Sequence, residues 1–402
     1  MHTVHVLRET LSQLDAQSDR FAVDVVSLLL SAAREARASD IHWLPLPNRQ
    51  LDILFRIDGL LQPIVRMETA GPNIISRLKV LAELLTYRTD MPQEGRIRQN
   101  LDDNEMRVST FPTVHGEKAV VRLFVGSGNY LRVDDLAFPM DVTHQLRRWL
   151  SQTQGVLIVS GPAGAGKTTT LYAALRELLA ASASPRSVCS LEDPIEALVP
   201  GVAQSAIHPA AGFTYEVGLK SLLRQDPEVL MVGEIRDRET AEVVFQASLT
   251  GHLVLTTFHA GRAAEACGRL LDMGIEPYIL KSGLLGILCQ RLVRKLCPTC
   301  SREPSSEELA SLPMRAARIP SGCEACGQSG YSGRLPLIES LDPHEGGFGS
   351  AILARADVQR LNQVALAAGM RSLSTHAQAR MEEGETSWIE ILRVLGTLER
   401  TP

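Results

Sequence analysis

The sequence predicts a mixed α/β protein with three parts: an α+β unit, a core built on a parallel sheet, and a small cysteine module. Residues 136–290 alternate short apolar runs with helical patterns, which is typical of a parallel sheet covered by helices. Residues 1–125 combine an amphipathic helix with alternating, strand-like segments. Four of the seven cysteines form two close pairs after residue 296, where the core pattern ends.

Composition narrows the classes of function. The 402 residues suffice for two or three hydrophobic cores. The net charge of −5 argues against a protein whose whole surface binds nucleic acid, and the 4% of aromatic residues argues against base stacking as its main activity. No apolar run is long enough to span a bilayer, and residues 25–38 are interpreted as an amphipathic core helix because acidic rather than basic residues precede them. We therefore expect a cytoplasmic protein.

The amino-terminal unit has a clear hairpin signal. Residues 51–57 alternate apolar and polar side chains, and the turn dipeptide Asp58–Gly59 follows. Residues 73–86 are predicted to be helical, and residues 106–125 are predicted to form two further strands. A polar, glycine-containing linker is expected near residue 130. The predicted domains are residues 1–130, 131–296 (the parallel core), 297–338 (the cysteine module) and 339–402 (a helical tail).

A glycine-rich loop lies between an apolar run and a helical pattern at the start of the core. Residues 161–168 fit G-x-x-x-x-G-K-[ST], in which backbone N–H groups and the next helix's amino end surround phosphate oxygens. Lys167 is expected to reach the outer phosphates of a nucleoside triphosphate, and the Thr168 hydroxyl to ligate Mg²⁺. The predicted nucleotide-binding residues are Gly161, Pro162, Ala163, Gly164, Ala165, Gly166, Lys167, Thr168 and Thr169.

Carboxylates end two other predicted strands of the core. Glu192 follows one apolar run and Glu234 another, so both should lie at the sheet edge that carries the glycine-rich loop. One carboxylate can hold the waters of Mg²⁺ while a second orients or deprotonates an attacking water. His259 ends a further strand and could sense the γ-phosphate. His252 is explained equally well as a structural hydrogen-bonding residue.

Two Cys-x-x-Cys pairs make up the cysteine module. Cys297 with Cys300 and Cys323 with Cys326 are separated by 22 residues, a spacing that predicts a structural Cys₄ zinc site. A redox pair and an iron–sulfur cluster are the alternatives. Four protein ligands leave no open coordination position, so we expect no catalysis by this metal. The other three cysteines, Cys189, Cys267 and Cys289, are expected to be small core residues.

The motifs occur in an order that matches one family over nearly the whole chain. They are ASDIHWLP (38–45), RIDGLL (56–61), MPQEGRIR (91–98), RVSTFPTVHGEKAVVRL (107–123), GPAGAGKTTTLY (161–172), LEDPIE (191–196), LLRQDPEVLMVGEIRDRETA (222–241), TGHLVLTTFHA (250–260) and the cysteine pairs. Together they resemble the ATPases that power type II secretion, type IV pilus assembly and related DNA uptake. The cysteine pairs favour the secretion or pilus-extension branch, since retraction motors usually lack them.

The resemblance implies a fold and roles for several residues. It implies a RecA-like P-loop core behind a PAS-like amino-terminal domain, assembled as a homohexamer with the nucleotide between the domains. Arg96 and Arg107, with Arg122 as a further candidate, would act as arginine fingers. Glu192 would activate water, and Glu234 would hold Mg²⁺ through water. The partner would be an inner-membrane assembly platform, so the protein would sit peripherally at the cytoplasmic face of that membrane.

Three functions follow from these patterns. The first is an ATP-hydrolysing motor that drives assembly of pilin-like subunits, with ATP, Mg²⁺ and Zn²⁺ as ligands. The second is a nucleic-acid motor of RecA type, which the acidic charge balance and scarce aromatic residues disfavour. The third is a scaffold that binds nucleotide without hydrolysing it, which the presence of Glu192 and Glu234 disfavours.

Overall fold

The computed structural model describes residues 2–97, 106–123, 132–181, 184–311 and 317–396. The chain forms two compact units. The first comprises Met1–Gly128 and Gly322–Ser332, and the second comprises Asn129–Ser321 and Gly333–Pro402. Among the described residues, no helix is both long enough and apolar enough to cross a membrane. The predicted domain boundary at residues 130–131 lies outside the described part of the chain.

The first unit packs three helices against one antiparallel sheet. The helices are α1 (His2–Ser12), α2 (Phe21–Glu35) and α3 (Gly71–Leu81), and the strands are β1 (Asp40–Pro45), β2 (Leu51–Ile57), β3 (Leu60–Met67), β4 (Gln93–Ile97), β5 (Met106–Thr113) and β6 (Gly116–Leu123). The spatial order is β3-β2-β1-β6-β5-β4, with neighbouring strands antiparallel.

Alternation along the strands sets which side chains enter the core. Leu51, Ile53 and Phe55 of β2 are buried together with the apolar stripe of α2. The predicted hairpin is confirmed, since Asp58–Gly59 joins β2 to β3 with positive φ angles of 48° and 86°. The helix predicted over residues 73–86 ends earlier, at Leu81, because Glu83 adopts a left-handed φ of 57° that a helix does not allow.

The second unit is a seven-stranded sheet covered by helices. Its strands are β7 (Gly155–Ser160), β8 (Val188–Glu192), β9 (Ala203–Ala206), β10 (Val229–Val232), β11 (Leu253–Phe258), β12 (Leu284–Leu296) and β13 (Tyr331–Leu341), in the order β13-β12-β7-β11-β10-β8-β9. Its helices are α4 (Met140–Leu150), α5 (Lys167–Ala181), α6 (Tyr215–Leu222), α7 (Arg238–Leu249), α8 (Ala263–Asp272), α9 (Pro277–Gly283), α10 (Ser306–Ser311), α11 (Phe348–Leu353), α12 (Val358–Ala367), α13 (Leu373–Glu382) and α14 (Trp388–Leu395).

The parallel sheet predicted for the core is confirmed. Every pairing from β12 through β7, β11, β10 and β8 to β9 is parallel. Strands β7 and β11 are buried along their whole length, which explains their continuous apolar runs. Two strands are not predicted from the sequence: β9 is a short edge strand, and the arginines of β12 break its apolar pattern. Strand β13 extends to Leu341 and so crosses the predicted domain boundary at residue 338.

A buried carboxylate fastens the last helix to the sheet. Glu390 of α14 is fully buried and accepts hydrogen bonds from the Arg294 backbone N–H at 2.9 Å and from the guanidinium of Arg294 at 2.7 and 2.9 Å. Arg393 donates two more, at 2.6 and 2.8 Å. Burial tends to raise the pKa of Glu390, but the bonds from Arg393 and Arg294 outweigh it and lower the pKa. The charge is thus fully compensated, as a buried ion pair requires.

The substitution Glu390→Ala is expected to destabilise the second unit strongly, because it removes the buried carboxylate that accepts three hydrogen bonds from Arg294 and two from Arg393. Breaking such a pair costs about 3–5 kcal/mol of unfolding free energy. Thermal unfolding monitored by circular dichroism measures the effect. Glu383→Ala is the matched control, since the Glu383 side chain is 59% exposed and Arg380 keeps its shorter ion pair with Glu385, at 2.6 Å, when Glu383 is removed. The expected loss is about 0–1 kcal/mol.

The Glu390 contribution also depends on pH. A lowered pKa in the folded state stabilises the protein above the unfolded-state value of about 4.3, and this stability is lost as the pH falls through the folded-state pKa. The difference in melting temperature between wild type and Glu390→Ala should therefore be largest near neutral pH and shrink in acid. Equal melting temperatures at neutral pH would contradict the assignment.

Candidate nucleotide site and cysteine cluster

The glycine-rich loop connects β7 to α5 at the carboxyl edge of the parallel sheet. Gly161, Gly164 and Gly166 have φ angles of 148°, 74° and 85°, a region that other residues adopt only with strain. These conformations give the curled backbone that the sequence pattern predicts. A Cβ atom at Gly161 would lie 2.5 Å from the backbone oxygen of Gln290, so close packing also requires glycine there.

The ammonium group of Lys167 lies over the same loop. Its Nζ atom donates hydrogen bonds to the carbonyl oxygens of Gly161, at 2.9 Å, and Pro162, at 3.0 Å. Burial lowers the pKa of Lys167, whereas the negative charges of Glu234 and Glu196 raise it. A partly desolvated ammonium held by neutral carbonyls favours an anionic ligand such as phosphate.

The remaining loop residues occupy the positions that the pattern predicts. Pro162, Ala163 and Gly164 are exposed at the tip of the loop, whereas Ala165 is buried. Thr168 and Thr169 are half-buried on the first turn of α5. The amino end of this 15-residue helix thus faces the loop and favours negative charge.

Glu192, at the end of β8, is enclosed by the protein. It is 2% exposed, and its Oε1 accepts hydrogen bonds from Ser190 Oγ at 2.6 Å and Gln204 Nε2 at 2.9 Å. Its Oε2 accepts a hydrogen bond from the Tyr172 hydroxyl. Burial, and then the charge of Glu192, raise the pKa of Tyr172, so the phenol stays protonated and continues to donate. Both carboxylate oxygens are therefore already engaged by protein donors.

Glu196, four residues later, lies in a different environment. It is half-buried, and its backbone N–H donates a hydrogen bond to the Tyr172 hydroxyl oxygen at 3.1 Å. Its charge acts on Lys167, as described above. Glu196 is the second glutamate of LEDPIE, and sequence reasoning assigned it no role. The presence of a second glutamate in that motif could have marked Glu196 as a further catalytic candidate. Because Glu192 is enclosed by protein donors, Glu196 becomes the better candidate.

Glu234 and His259 come together, as the strand alignment predicts. Glu234 Oε2 lies 3.1 Å from His259 Nε2, and Glu234 Oε1 accepts a hydrogen bond from Arg236 Nε at 2.6 Å. Arg236 also donates to Asp193 Oδ2 at 3.2 Å. These contacts link the segments that follow β8, β10 and β11 into one charged network near Lys167. His252, in contrast, lies 3.0 Å from the Ala247 carbonyl oxygen, in a structural hydrogen bond.

The predicted arginine fingers share one face of the first unit's sheet. Strand register places Arg96 opposite Arg107, Arg107 opposite Arg122, and Arg122 opposite Asp40. Directly opposed residues lie on the same face, so the three arginines form a row. Arg107 Nη2 binds Glu94 Oε2 at 2.5 Å, and Arg122 Nε binds Asp40 Oδ1 at 3.0 Å. The side chains of Arg107 and Arg122 are 45% and 64% exposed.

The four predicted metal ligands form a cluster. The sulfur atoms of Cys297, Cys300, Cys323 and Cys326 all lie within 4.8 Å of one another. Cys323 and Cys326 sulfurs are 3.8 Å apart, which agrees with the edge of about 3.8 Å expected for tetrahedral zinc with Zn–S bonds of about 2.3 Å. The backbone N–H groups of Cys323 and Gly330 approach Cys326 Sγ at 3.3 and 3.2 Å and would stabilise a thiolate. The donor set therefore fits zinc.

The other three cysteines are buried and behave as core residues. Burial raises the pKa of Cys189 and raises the pKa of Cys267 and Cys289 to about 12. These thiols stay protonated at neutral pH, which makes them poor nucleophiles and poor metal ligands. The sequence-based interpretation of these residues is confirmed.

Solved structures share this fold at low sequence identity. The ATPase DotB of Legionella pneumophila superposes with a TM-score of 0.65 at 20% identity, covering 93% of this chain and 96% of that one. The pilus retraction motor PilT, solved with bound ADP, gives a TM-score of 0.63 at 20% identity, covering 94% and 97%. At 20% identity this similarity shows only that the chain shares the mixed α/β fold of these ATPases.

Sequence relatives are much closer. Type II secretion system protein HxcR of Pseudomonas aeruginosa is 40% identical over 389 residues, which cover 96% of this chain and 80% of the relative. Type II secretion system ATPase E of Vibrio cholerae is 37% identical over 392 residues, covering 95% and 76%. The family model for the type II/IV secretion system proteins matches residues 15–393. The chain therefore belongs to the type II/IV secretion system protein family.

Proposed function

We propose that this protein is an ATP-hydrolysing motor that drives assembly of pseudopilus or pilus subunits for type II secretion or type IV pilus biogenesis. The observation that carries the proposal is a phosphate-binding loop placed beside a network of carboxylates on one sheet edge. Lys167, Glu196 and Glu234 interact electrostatically there. The relatives named as a type II secretion ATPase and a type II secretion protein support the same function.

The reaction transfers the γ-phosphoryl group of ATP to water. A water oxygen forms a bond to the γ-phosphorus while the bond to the β–γ bridging oxygen breaks, giving ADP and inorganic phosphate. Backbone N–H groups of the loop and Lys167 stabilise the charge on the phosphates. Thr168 and Glu234 are the residues that would hold Mg²⁺, Glu234 through water, and the ion would neutralise charge on the β- and γ-phosphates.

The acidic segment after β8 supplies the base. Glu192 is the sequence-based candidate, but protein donors already bind both of its oxygens. Glu196 is half-buried rather than fully buried, and its negative charge acts on Lys167. We therefore assign removal of the water proton to Glu196 and assign Glu192 the positioning of the segment through Tyr172.

The roles of the remaining predicted residues are part of the proposal. Arg96 and Arg107 would add positive charge to the phosphates in the transition state, as arginine fingers do. His259 would report the state of the γ-phosphate through its contact with Glu234. The order of the parallel strands, with β7 between β11 and β12, supports a RecA-like core. The antiparallel sheet of the first unit, in the order β3-β2-β1-β6-β5-β4, supports a PAS-like domain.

The assembly and its location also belong to the proposal. We expect a homohexamer that works on an inner-membrane platform protein from the cytoplasmic face, with no direct role for nucleic acid. The resemblance to secretion ATPases supports these assignments, and the net charge of −5 supports the last. A structural Zn²⁺ bound by the four cysteines would stabilise the module, since so short a segment buries little core.

Lys167→Ala is expected to lower kcat/KM for ATP by at least about 100-fold, because it removes a positive charge from the phosphates. The melting temperature should remain near that of the wild type, since the ammonium binds only two loop carbonyls. A phosphate-release assay measures the change. Lys220→Ala is the control, because Lys220 lies on α6 in a pair with Glu216. Hydrolysis at an unchanged rate would contradict the assignment of this loop to the ATPase site.

Glu196→Gln should reduce turnover by at least about 100-fold while preserving ATP binding and the melting temperature. Glu192→Gln should mainly lower the melting temperature, because its new amide donor would meet the donors that now bind the carboxylate. Single-turnover hydrolysis and thermal unfolding of both variants separate the two roles. A stable, inactive Glu192→Gln beside an active Glu196→Gln would make Glu192 the base.

Metal analysis by plasma mass spectrometry should find about one zinc per chain. Cys326→Ser should lose most of this zinc and lower the melting temperature, since the cluster needs all four thiolates. Cys189→Ala is the control, because Cys189 is buried away from the cluster. Iron in place of zinc, or a wild type without metal, would contradict the zinc assignment.

A further inference from the structure

We propose that Gln290 is a positioning residue for nucleotide binding, which it controls by holding the phosphate-binding loop in shape from strand β12. This inference rests on the proposed use of that loop for ATP. Gln290 follows Cys289, which pairs with Ser160, the last residue of β7. It is thus level with the start of the loop. Only 2% of the residue is exposed, so its side chain is part of the loop's support.

The Gln290 amide makes one hydrogen bond at each end. Its Nε2 donates to the Ala165 carbonyl oxygen at 2.6 Å, and its Oε1 accepts from the Thr170 hydroxyl at 3.0 Å. Ala165 belongs to the loop, and Thr170 lies on the first turn of α5. An amide is the side-chain group that can donate at one end and accept at the other in this way. The residue therefore joins the loop to the helix that follows it.

The bond to Ala165 fixes the direction of one phosphate-facing donor. In a trans peptide the carbonyl of Ala165 and the N–H of Gly166 point in opposite directions. Holding the carbonyl toward Gln290 therefore turns the Gly166 N–H away from β12. Backbone N–H groups with this orientation form the concave phosphate cradle that the loop pattern predicts.

Close packing leaves the loop little freedom to move against Gln290. A Cβ at Gly161 would be 2.5 Å from the Gln290 backbone oxygen, and one at Gly166 would be 3.1 Å from Gln290 Nε2. The first and last glycines of the loop thus both lie against this one residue. Gln290 supports the loop at both ends, and no contact between Gln290 and the nucleotide is needed for the effect.

The neighbouring residues on β12 extend the same support. Arg291 Nη2 donates to the Gly261 carbonyl oxygen at 2.8 Å, just beyond His259. Arg294, three residues further along, binds the buried Glu390 of α14. Strand β12 therefore connects the loop, the segment after β11 and the carboxy-terminal helix, with Gln290 as its contact to the nucleotide loop.

The test compares binding with turnover in three variants of the full chain. Gln290→Met removes both hydrogen bonds at similar size, Thr170→Val removes one, and Thr170→Ser retains the hydroxyl. Titration with fluorescent ADP should give a Kd at least about tenfold higher for Gln290→Met, a smaller rise for Thr170→Val and little change for Thr170→Ser. The KM for ATP should rise in parallel, with kcat at saturating ATP within about threefold of the wild type.

The exposed Gln246 of α7 provides the control, since Gln246→Met should bind ADP like the wild type. Unchanged Kd values for Gln290→Met and Thr170→Val would overturn the inference. If Gln290→Met does not fold, a raised Kd for Thr170→Val at an unchanged melting temperature supports the inference, and an unchanged Kd overturns it. A wild type that binds ADP but hydrolyses no ATP would refute the proposed function, while the Kd comparison would still decide the role of Gln290.

Discussion

The alignment of parallel strands is the constraint on which the nucleotide site depends. Strands β7, β11, β10 and β8 are neighbours and run in the same direction, so their carboxyl ends meet at one edge. The glycine-rich loop, His259, Glu234 and the acidic segment follow these four strands in turn. A one-residue slip in any pairing would turn its terminal side chain to the other face. The buried, apolar strands prevent that slip and thereby keep the loop, His259, Glu234 and the acidic segment at the same edge of the sheet.

Buried polar contacts complete what the sheet begins. Glu192, Gln290 and Glu390 are each nearly inaccessible to solvent, and protein groups form hydrogen bonds to the polar side chain of each. An unsatisfied group at such a site would cost about 1–3 kcal/mol, so each contact strongly prefers one geometry. Two of the three residues support the loop and the acidic segment beside it. In our account Lys167, Glu196 and Glu234 are the charged residues beside this support that respond to the nucleotide.

Local patterns in the sequence predicted much of this arrangement. The strand runs, the glycine-rich loop, the Asp58–Gly59 hairpin and the cysteine pairs each depend on residues close together in the chain, so their patterns are readable. The support by Gln290 and the Arg294–Glu390 pair join residues 125 and 96 positions apart, and no local pattern encodes such contacts. The different surroundings of Glu192 and Glu196 were equally hidden, because both glutamates belong to one short motif.

We expect Lys167 to exchange its loop carbonyls for the phosphates of ATP. A crystal structure with Mg²⁺ and a non-hydrolysable ATP analogue tests this most directly. Lys167 Nζ should move from the Gly161 and Pro162 oxygens, now 2.9 and 3.0 Å away, and form hydrogen bonds to the outer phosphates above the loop. An analogue bound elsewhere, with Lys167 still on both carbonyl oxygens, would contradict the account.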